Sequence, residues 1–178
     1  MAINYNEENS GHSDSFEVGS RFQDFVCIKL AEDNVILQNI NSKKFQYETG
    51  ENLQGFEIKY DSNVSSCLGS LEANEKANDG PAIFTKRSGT CRLSIEIAEK
   101  TKAENEHFVP SGIYRGDNSW LYIQGNYHQF WVFSVKMLRL LHKSNRYEES
   151  TKPTVKSFYL PIADADRFCA KKIIINYE

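Results

Sequence analysis

Long apolar stretches are missing from this sequence, and their absence bears on where the protein works. None of the hydrophobic runs in its 178 residues approaches the roughly 20 residues that a helix needs to cross a bilayer. The first residues are polar and acidic, unlike the basic and then apolar start of a secretory signal. We therefore expect no membrane insertion and no secretion, and we expect a cytoplasmic location.

The sequence also lacks closely spaced cysteines. Its four cysteines are Cys27, Cys67, Cys91 and Cys169. Their wide separation excludes the paired spacing of a zinc ribbon or of a redox CxxC site. We expect free thiols in a reducing compartment.

A surplus of positive charge is absent as well. The formal net charge is -3, which argues against a protein that coats nucleic acid by bulk electrostatics. A nuclease is compatible with this charge, because carboxylates that hold a divalent metal lower the total while a local basic rim can still meet phosphates.

What the sequence does contain is the composition of a globular domain, with 40% hydrophobic and 25% charged residues. A chain of this length can bury a core without disulfides or structural metals. We expect a flexible N-terminal arm at residues 1–13 and a single domain at residues 14–178. Within that domain, residues 62–90 are rich in Ser, Asn, Lys and Gly and are predicted to form a loop insertion with a short helix at 71–76.

The periodicity of the apolar residues predicts an α+β, or mixed α/β, protein with a central mixed β-sheet flanked by helices. Helices are predicted at residues 15–31, 135–143 and 163–170. Strands are predicted at residues 35–40, 56–61, 93–98, 119–124, 129–134, 155–160 and 172–177, with residues 44–47 pairing back on the first of them. The strands at 119–124 and 129–134 are predicted to form a hairpin through the turn at 125–128.

Charged residues occupy one face of the strand predicted at 56–61. They are Glu57, Lys59 and Asp61, and they alternate with apolar and aromatic residues. A carboxylate can hold a hard cation, and an ammonium two residues on lies about 6 to 7 Å further along the strand. Phosphodiester hydrolysis uses both, because Mg²⁺ polarises the phosphate and lowers the pKa of the attacking water while a lysine orients that water or offsets developing charge.

One strand cannot supply enough metal ligands, so further acids must converge on it. The candidates are Glu51, Asp61, Glu96 and Glu17. If the strands that carry Glu57 and Glu96 are neighbours, their carboxylates can share one metal ion. Otherwise these carboxylates are solvated and apart, or they are paired with Lys59 and Lys100.

The segment Gly55-Phe56-Glu57-Ile58-Lys59 resembles the Gly-hydrophobic-Glu-hydrophobic-Lys strand of the restriction-endonuclease-like, or PD-(D/E)XK, nuclease superfamily. The resemblance runs from about residue 15 to 141 and includes Ile95-Glu96 and the turn Ser111-Gly112-Ile113 before an aromatic strand. It implies a restriction-endonuclease-like core in a nuclease-like domain. It also implies an enzyme that hydrolyses DNA phosphodiester bonds with Mg²⁺ (or Mn²⁺).

The resemblance can be aligned in two registers. In the first, Glu57 and Lys59 are the Glu-x-Lys pair, Glu51 is the upstream acid, and Glu17 is the acid of the first helix. In the second, Glu57 is the upstream acid and Glu96 belongs to the Glu-x-Lys strand.

The second register departs from the family pattern, because Ala98 stands where a lysine is expected and the amine has to come from Lys59 or Lys100. The two registers together imply a set of catalytic and metal-binding residues. The implied catalytic residues are Glu57, Lys59 and Glu96, and the implied metal ligands are Glu57, Glu96 and Glu51.

Basic residues near Gly89 are predicted to bind nucleic acid beside this site. They are Lys86, Arg87 and Arg92.

The alternative function is a non-catalytic nucleic-acid-binding or protein-interaction module on the same fold, which the departure at Ala98 favours. The sequence leaves open DNA or RNA as the substrate, a role in restriction, phage DNA processing or repair, and a homodimer.

Overall fold

The computed structural model describes residues 15–40, 43–61, 64 and 91–176. The predicted N-terminal arm lies outside these ranges. Of the predicted insertion at 62–90 only Val64 is described, so the helix predicted at 71–76, Lys86 and Arg87 also lie outside them.

In the part of the chain that the structure describes, no helix has the length and apolar character that crossing a membrane requires. Three of the four cysteines fall in this part. Cys27, Cys91 and Cys169 are free thiols, as predicted, and Cys67 lies outside the described ranges.

Four α-helices and one short 3-10 helix, η1, occur in the described ranges. They are α1 (Ser15–Glu32), α2 (Lys43–Thr49), η1 (Gly112–Tyr114), α3 (Val135–Lys143) and α4 (Ile162–Phe168). The helices predicted from apolar periodicity at 15–31, 135–143 and 163–170 are confirmed to within two residues at each end.

The strands form two four-stranded sheets. They are β1 (Phe56–Tyr60), β2 (Arg92–Glu99), β3 (Val109–Pro110), β4 (Leu121–Gly125), β5 (Gln129–Ser134), β6 (Glu149–Thr151), β7 (Val155–Pro161) and β8 (Lys171–Ile174). The first sheet has the order β1-β4-β5-β8 and the second has the order β3-β2-β7-β6. The first is mixed, because β1 pairs parallel with β4 while its other pairs are antiparallel, and the second is antiparallel throughout. The predicted α+β class is confirmed, with the strands divided between two sheets instead of one.

The first sheet is the middle layer of the fold, because its two faces belong to different apolar cores. Phe56, Ile58 and Ile123 pack against α1 on one face. Tyr122 and Trp131 pack against the second sheet on the other face. Because side chains alternate along a strand, the odd-numbered residues of β1 face the space between the two sheets, as Tyr122 does.

The predicted hairpin at 119–134 is confirmed as the antiparallel pair of β4 and β5, which a turn at residues 126–128 connects. The Asn126 carboxamide oxygen accepts hydrogen bonds from the backbone N–H groups of His128 and Gln129, at 2.9 and 3.0 Å, which closes the turn.

The strand predicted at 35–40 is wrong, and so is its pairing with residues 44–47. Residues 35–40 pair with the loop before β1 through an isolated bridge between Asn39 and Asn52 instead of forming a strand. Ile36 is 73% exposed, whereas Leu37 packs against the core between α1 and the first sheet. Residues 44–47 lie instead inside α2. Gly50, with φ of 102°, donates its N–H to the Gln46 carbonyl and ends that helix in the left-handed conformation that favours glycine.

Candidate active site

Glu57 and Lys59 lie on the face of β1 that looks toward the second sheet. Glu57 pairs in register with Tyr122 of β4, and both side chains are fully covered. The side chain of Lys59 is 29% exposed. A buried carboxylate is costly unless a cation or hydrogen bonds compensate it, so the contacts of Glu57 define the site.

The ammonium of Lys59 lies between three carboxylates from three separate segments. Its Nζ is 2.8 Å from Oε1 of Glu57, 3.9 Å from Oε1 of Glu51 and 4.0 Å from Oε2 of Glu96. Burial opposes the charge of Lys59, but the three carboxylates outweigh burial and raise the pKa of Lys59 well above its usual range. The structure therefore brings together Glu51, Glu57, Lys59 and Glu96, which are four of the six residues that the two registers named.

Glu51 reaches this cluster from the loop that precedes β1. In that loop the Asn52 side chain bonds to both backbone groups of Phe56, at 2.6 and 2.9 Å, and so folds the chain back to start the strand. Oε2 of Glu51 then accepts hydrogen bonds from the Ile58 N–H and from Nε2 of Gln23 on α1, each at 3.0 Å. The loop and the helix together fix the carboxylate.

The pKa of Glu51 is raised to about 7. Burial is the largest cause and the charge of Glu57 is the next, and Lys59, the Ile58 N–H and Arg115 oppose them only in part. Near neutral pH this carboxyl group is therefore close to balance between its protonated and ionised forms. The cluster holds more negative charge than its cations neutralise.

Glu96 comes from β2 in the second sheet, not from a neighbour of β1. The two strands are therefore not neighbours in one sheet, and the two carboxylates meet across the space between the sheets. Both lie beside Lys59, one of the two lysines that the alternative arrangement names as their partners. The Ser111 hydroxyl donates to Oε1 of Glu96. Gly112, with φ of 52°, packs so tightly on this strand that a Cβ there would lie 2.3 Å from the Glu96 carbonyl oxygen.

Arg115 brings a second cation to Glu57. Its Nη1 is 3.5 Å from Oε2 of Glu57, its Nε is 3.1 Å from Oδ2 of Asp117, and its Nη2 donates to the Gln46 carbonyl at 3.0 Å. The Asp117 side chain is only 1% exposed. The guanidinium is thus held from two sides by groups outside the Lys59 cluster.

Buried polar atoms without a well-directed hydrogen bond are concentrated at this place. Among the described residues they include both carboxylate oxygens of Glu57, Oδ2 of Asp117 and the Tyr122 hydroxyl. The Glu57 and Asp117 oxygens make the ion pairs with Lys59 and Arg115 described above. The pKa of the Tyr122 hydroxyl is raised well above its usual range, by burial first and by the charge of Glu96 next. Buried polar groups are nearly always paired in folded proteins, so such a concentration is typical of a functional site.

A cleft of about 880 Å³ opens over the cluster, between α1, the second half of β1 and the end of β2. Lining side chains that contact the cluster are Gln23, Glu51, Lys59, Glu96, Ser111 and Arg115. Glu57 lies beneath them, because it is fully covered while Lys59 and Arg115, which contact it, line the cleft. The charged cluster is thus the floor of a concave surface, the usual setting of a small-molecule or substrate site.

Three other acidic or basic residues that the sequence singled out do not join the cluster. Glu17 is exposed on α1 and pairs with Arg21. Asp61 directly follows β1 and is buried, and its Oδ2 accepts hydrogen bonds from the Gln124 side chain and the Ser94 N–H. Lys100 donates to two backbone carbonyls of the loop at 103–105.

Arg92, predicted to bind nucleic acid, contacts other protein groups. Its guanidinium lies 3.4 Å from the centre of the Tyr159 ring and 2.9 Å from Oε2 of Glu148. Arg92 does not line the cleft. Lys86 and Arg87, the other two residues of that prediction, lie outside the described ranges.

Sequence reasoning missed several residues of the site. They are Gln23, Ser111, Arg115, Asp117 and Tyr122. Arg115-Gly116-Asp117 reads in the sequence as an ordinary loop triplet, and Gln23 as a polar position of an amphipathic helix. Long-range packing places these residues at the cluster, and the sequence contains a local signal for Ser111 alone, through the turn Ser111-Gly112-Ile113.

The donor set fits a hard divalent cation. Carboxylate oxygens are the protein ligands that Mg²⁺ and Mn²⁺ prefer, and Glu51, Glu57 and Glu96 supply them around the Lys59 ammonium. In the described ranges, no group of three acidic, cysteine or histidine side chains is arranged to hold a metal as it stands. The Lys59 ammonium lies among the three carboxylates in this arrangement.

Comparisons with protein-family models, with curated proteins and with solved structures found no match.

Proposed function

We propose that this protein is a metal-dependent nuclease of the cytoplasm that hydrolyses DNA phosphodiester bonds. The observation that carries the proposal is the convergence of Glu51, Glu57 and Lys59 beneath an open cleft, with Glu96 joining them from the second sheet. These residue types are the ones that metal-assisted phosphodiester hydrolysis requires.

Glu51 and Glu57 would hold the metal, with Glu96 completing the set. When bound, the metal polarises the phosphate and supplies an activated water for the attack. Lys59 brings its positive charge to the same cluster of carboxylates. Its ammonium can orient the attacking water or offset the charge that develops on the phosphate oxygens.

The charge balance of the cluster supports a divalent cation as its ligand. Four carboxylates, those of Glu51, Glu57, Glu96 and Asp117, face two cations, Lys59 and Arg115. With every group ionised, the formal excess is two negative charges. Burial and then the charge of Glu57 raise the pKa of Glu51, and a divalent cation would cancel the formal excess of negative charge.

The geometry favours the register in which Glu51, Glu57 and Lys59 form the motif. Lys100 is bonded to the 103–105 loop, so Lys59 is the amine in either register. Glu51 and Glu57 both belong to the segment that forms β1 and its preceding loop. In this register Glu96 is an additional acid that does not belong to the Glu-x-Lys motif.

Cleavage of supercoiled plasmid and of single-stranded and branched DNA, with Mg²⁺ or Mn²⁺ and with EDTA, tests the proposal. We expect cleavage only with the metal, and we expect Glu57→Gln to abolish it because a neutral amide cannot replace a charged ligand. Lys172→Met is a matched control. Lys172 also makes an ion pair at 2.9 Å and is 27% exposed, but it lies on β8 at the opposite edge of the first sheet.

A second candidate function is a non-catalytic nucleic-acid-binding or protein-interaction module. The close pair between Lys59 and Glu57, at 2.8 Å in a covered position, favours it, because such a pair can serve structure alone. DNA bound equally well by the wild type and by Glu57→Gln, with no cleavage by either, would support the module and contradict the nuclease.

A further inference from the structure

Arg115 differs from Lys59 in how it is held, although both cations contact Glu57. Lys59 depends on the three carboxylates of the cluster. Arg115 is held by two groups that are not proposed metal ligands, namely the Asp117 carboxylate on Nε and the Gln46 carbonyl on Nη2. A metal bound by the cluster would therefore leave the anchoring of Arg115 intact.

Among the contacts of Arg115 with Glu57, Asp117 and Gln46, the one with Glu57 is the longest. At 3.5 Å between Nη1 and Oε2 it exceeds a direct hydrogen bond and is an attraction between charges. The Nη1 edge of the guanidinium thus points toward the centre of the cluster, while the two shorter contacts hold the group from behind. The side chain is 18% exposed and lines the cleft, so a ligand in the cleft can reach it.

We infer that Arg115 binds a non-bridging oxygen of the substrate phosphate. This inference rests on the proposed nuclease function and names a residue for it that the sequence did not indicate. A guanidinium matches phosphate geometry with parallel N–H donors and keeps its charge at any working pH. Asp117 orients that guanidinium, since it is covered and its Oδ2 faces Nε.

The charge of the cleft explains why a fixed arginine is needed there. Asp24, Glu51, Glu96 and Glu99 contribute negative charge to the lining, whereas Lys59 and Arg115 contribute positive charge. A polyanion meets net repulsion from such a surface unless a metal and fixed cations receive its phosphate. Arg115 supplies a fixed cation that is anchored by Asp117 and the Gln46 carbonyl, neither of which is a proposed metal ligand.

Binding of a short fluorescent DNA oligonucleotide in the presence of Ca²⁺ tests this role apart from cleavage. We expect Arg115→Gln to weaken binding at least about 10-fold and Arg115→Lys to restore part of it, because lysine keeps the charge but not the paired donors. Asp117→Asn is expected to weaken binding less than Arg115→Gln. Arg167→Gln, which removes an exposed arginine on α4, is the matched control and is expected to bind like the wild type.

Mn²⁺ affinity, measured on the same proteins, separates phosphate binding from simple support of Glu57. We expect Arg115→Gln to bind Mn²⁺ as tightly as the wild type or more tightly, because a positive charge next to a metal ligand has been removed. Loss of Mn²⁺ affinity in parallel with DNA affinity would overturn the inference, as would unchanged DNA binding. A folded Arg115→Lys protein, verified by its thermal unfolding, keeps the test valid if Arg115→Gln does not fold.

The two proposals fail in different ways. If the wild type binds DNA but never cleaves it, the nuclease function fails while the loss of binding in Arg115→Gln still supports phosphate binding. If the wild type cleaves DNA and Arg115→Gln binds DNA unchanged, the nuclease function stands and the role of Arg115 is wrong. If the wild type does not bind DNA at all, both are wrong.

Discussion

The ammonium nitrogen of Lys59 lies 2.8 Å from Oε1 of Glu57, in a place where the glutamate is fully covered and the lysine is not. Two residues apart on one strand, they share a face of β1 that turns toward the second sheet. Because Glu51 and Glu96 approach the same ammonium, a pair formed within one strand becomes the centre of a cluster drawn from three segments.

Removing the lysine alone should destabilise the protein. Lys59→Met leaves the covered Glu57 carboxylate with the more distant Arg115 as its cation. Removing one partner of a buried ion pair costs roughly 3–5 kcal/mol. Since Lys59 is partly exposed, we expect a loss of about 2 kcal/mol in the free energy of unfolding, measured by urea denaturation without divalent cations.

The double variant Glu57→Gln with Lys59→Met is the control for this prediction. It removes both charges, so it should be more stable than Lys59→Met alone. Equal stability of the two variants would mean that the pair contributes no coupling energy.

The stability of the metal-free protein should fall as pH rises toward neutrality. The pKa of Glu51 is raised from 4.5 to about 7 in the folded state, so the folded protein binds this proton more tightly than the unfolded chain does. The stabilisation that Glu51 contributes is therefore complete below its ordinary pKa of 4.5 and is lost as the pH rises through its raised pKa of about 7.

We expect this group to lower the free energy of unfolding by at most about 3 kcal/mol across that window, measured by urea denaturation between about pH 5 and pH 8. Glu51→Gln should flatten the pH dependence, because the amide does not titrate. A pH profile that is the same in Glu51→Gln and in the wild type would show that another group is responsible.

Gly112 should be intolerant of any side chain. An added Cβ would lie 2.3 Å from the Glu96 carbonyl oxygen, and φ of 52° is in the left-handed region. We expect Gly112→Ala to lower the free energy of unfolding by about 2 kcal/mol or more, and to weaken Mn²⁺ binding by shifting Glu96.

Gly116→Ala provides the comparison, because a Cβ there meets no described atom within 4 Å. It should leave both thermal stability and Mn²⁺ affinity close to those of the wild type. Similar losses in the two alanine variants would indicate a general effect of the loop instead of the contact with Glu96.

The sequence allowed the centre of the site to be predicted, but not its surroundings. Period-two alternation on β1 is a local property, so it is enough to place Glu57 and Lys59 on one face of the strand. The need for further metal ligands pointed to Glu51 and Glu96 among four acids, and both join the cluster. The sequence left open how Glu96 reaches it, because the pattern of one strand cannot reveal which strands pair or how many sheets form.

Residues that reach the site through tertiary packing escaped prediction for the same reason. Gln23 arrives because α1 packs on the first sheet, and Arg115 arrives because η1 packs on β2. The segment at 44–47 shows the limit in secondary structure. Its strand pattern spans only four residues, too few to distinguish a strand from a turn of the helix that ends at Thr49.

The most direct test of the account is the rate of DNA cleavage by Lys59→Met relative to the wild type, measured at saturating Mg²⁺ on plasmid DNA. The account predicts metal-dependent cleavage by the wild type and a rate at least about 100-fold lower in Lys59→Met, in a protein that still unfolds cooperatively. Cleavage at the wild-type rate by Lys59→Met, or no cleavage by the wild type with any divalent metal, would contradict it.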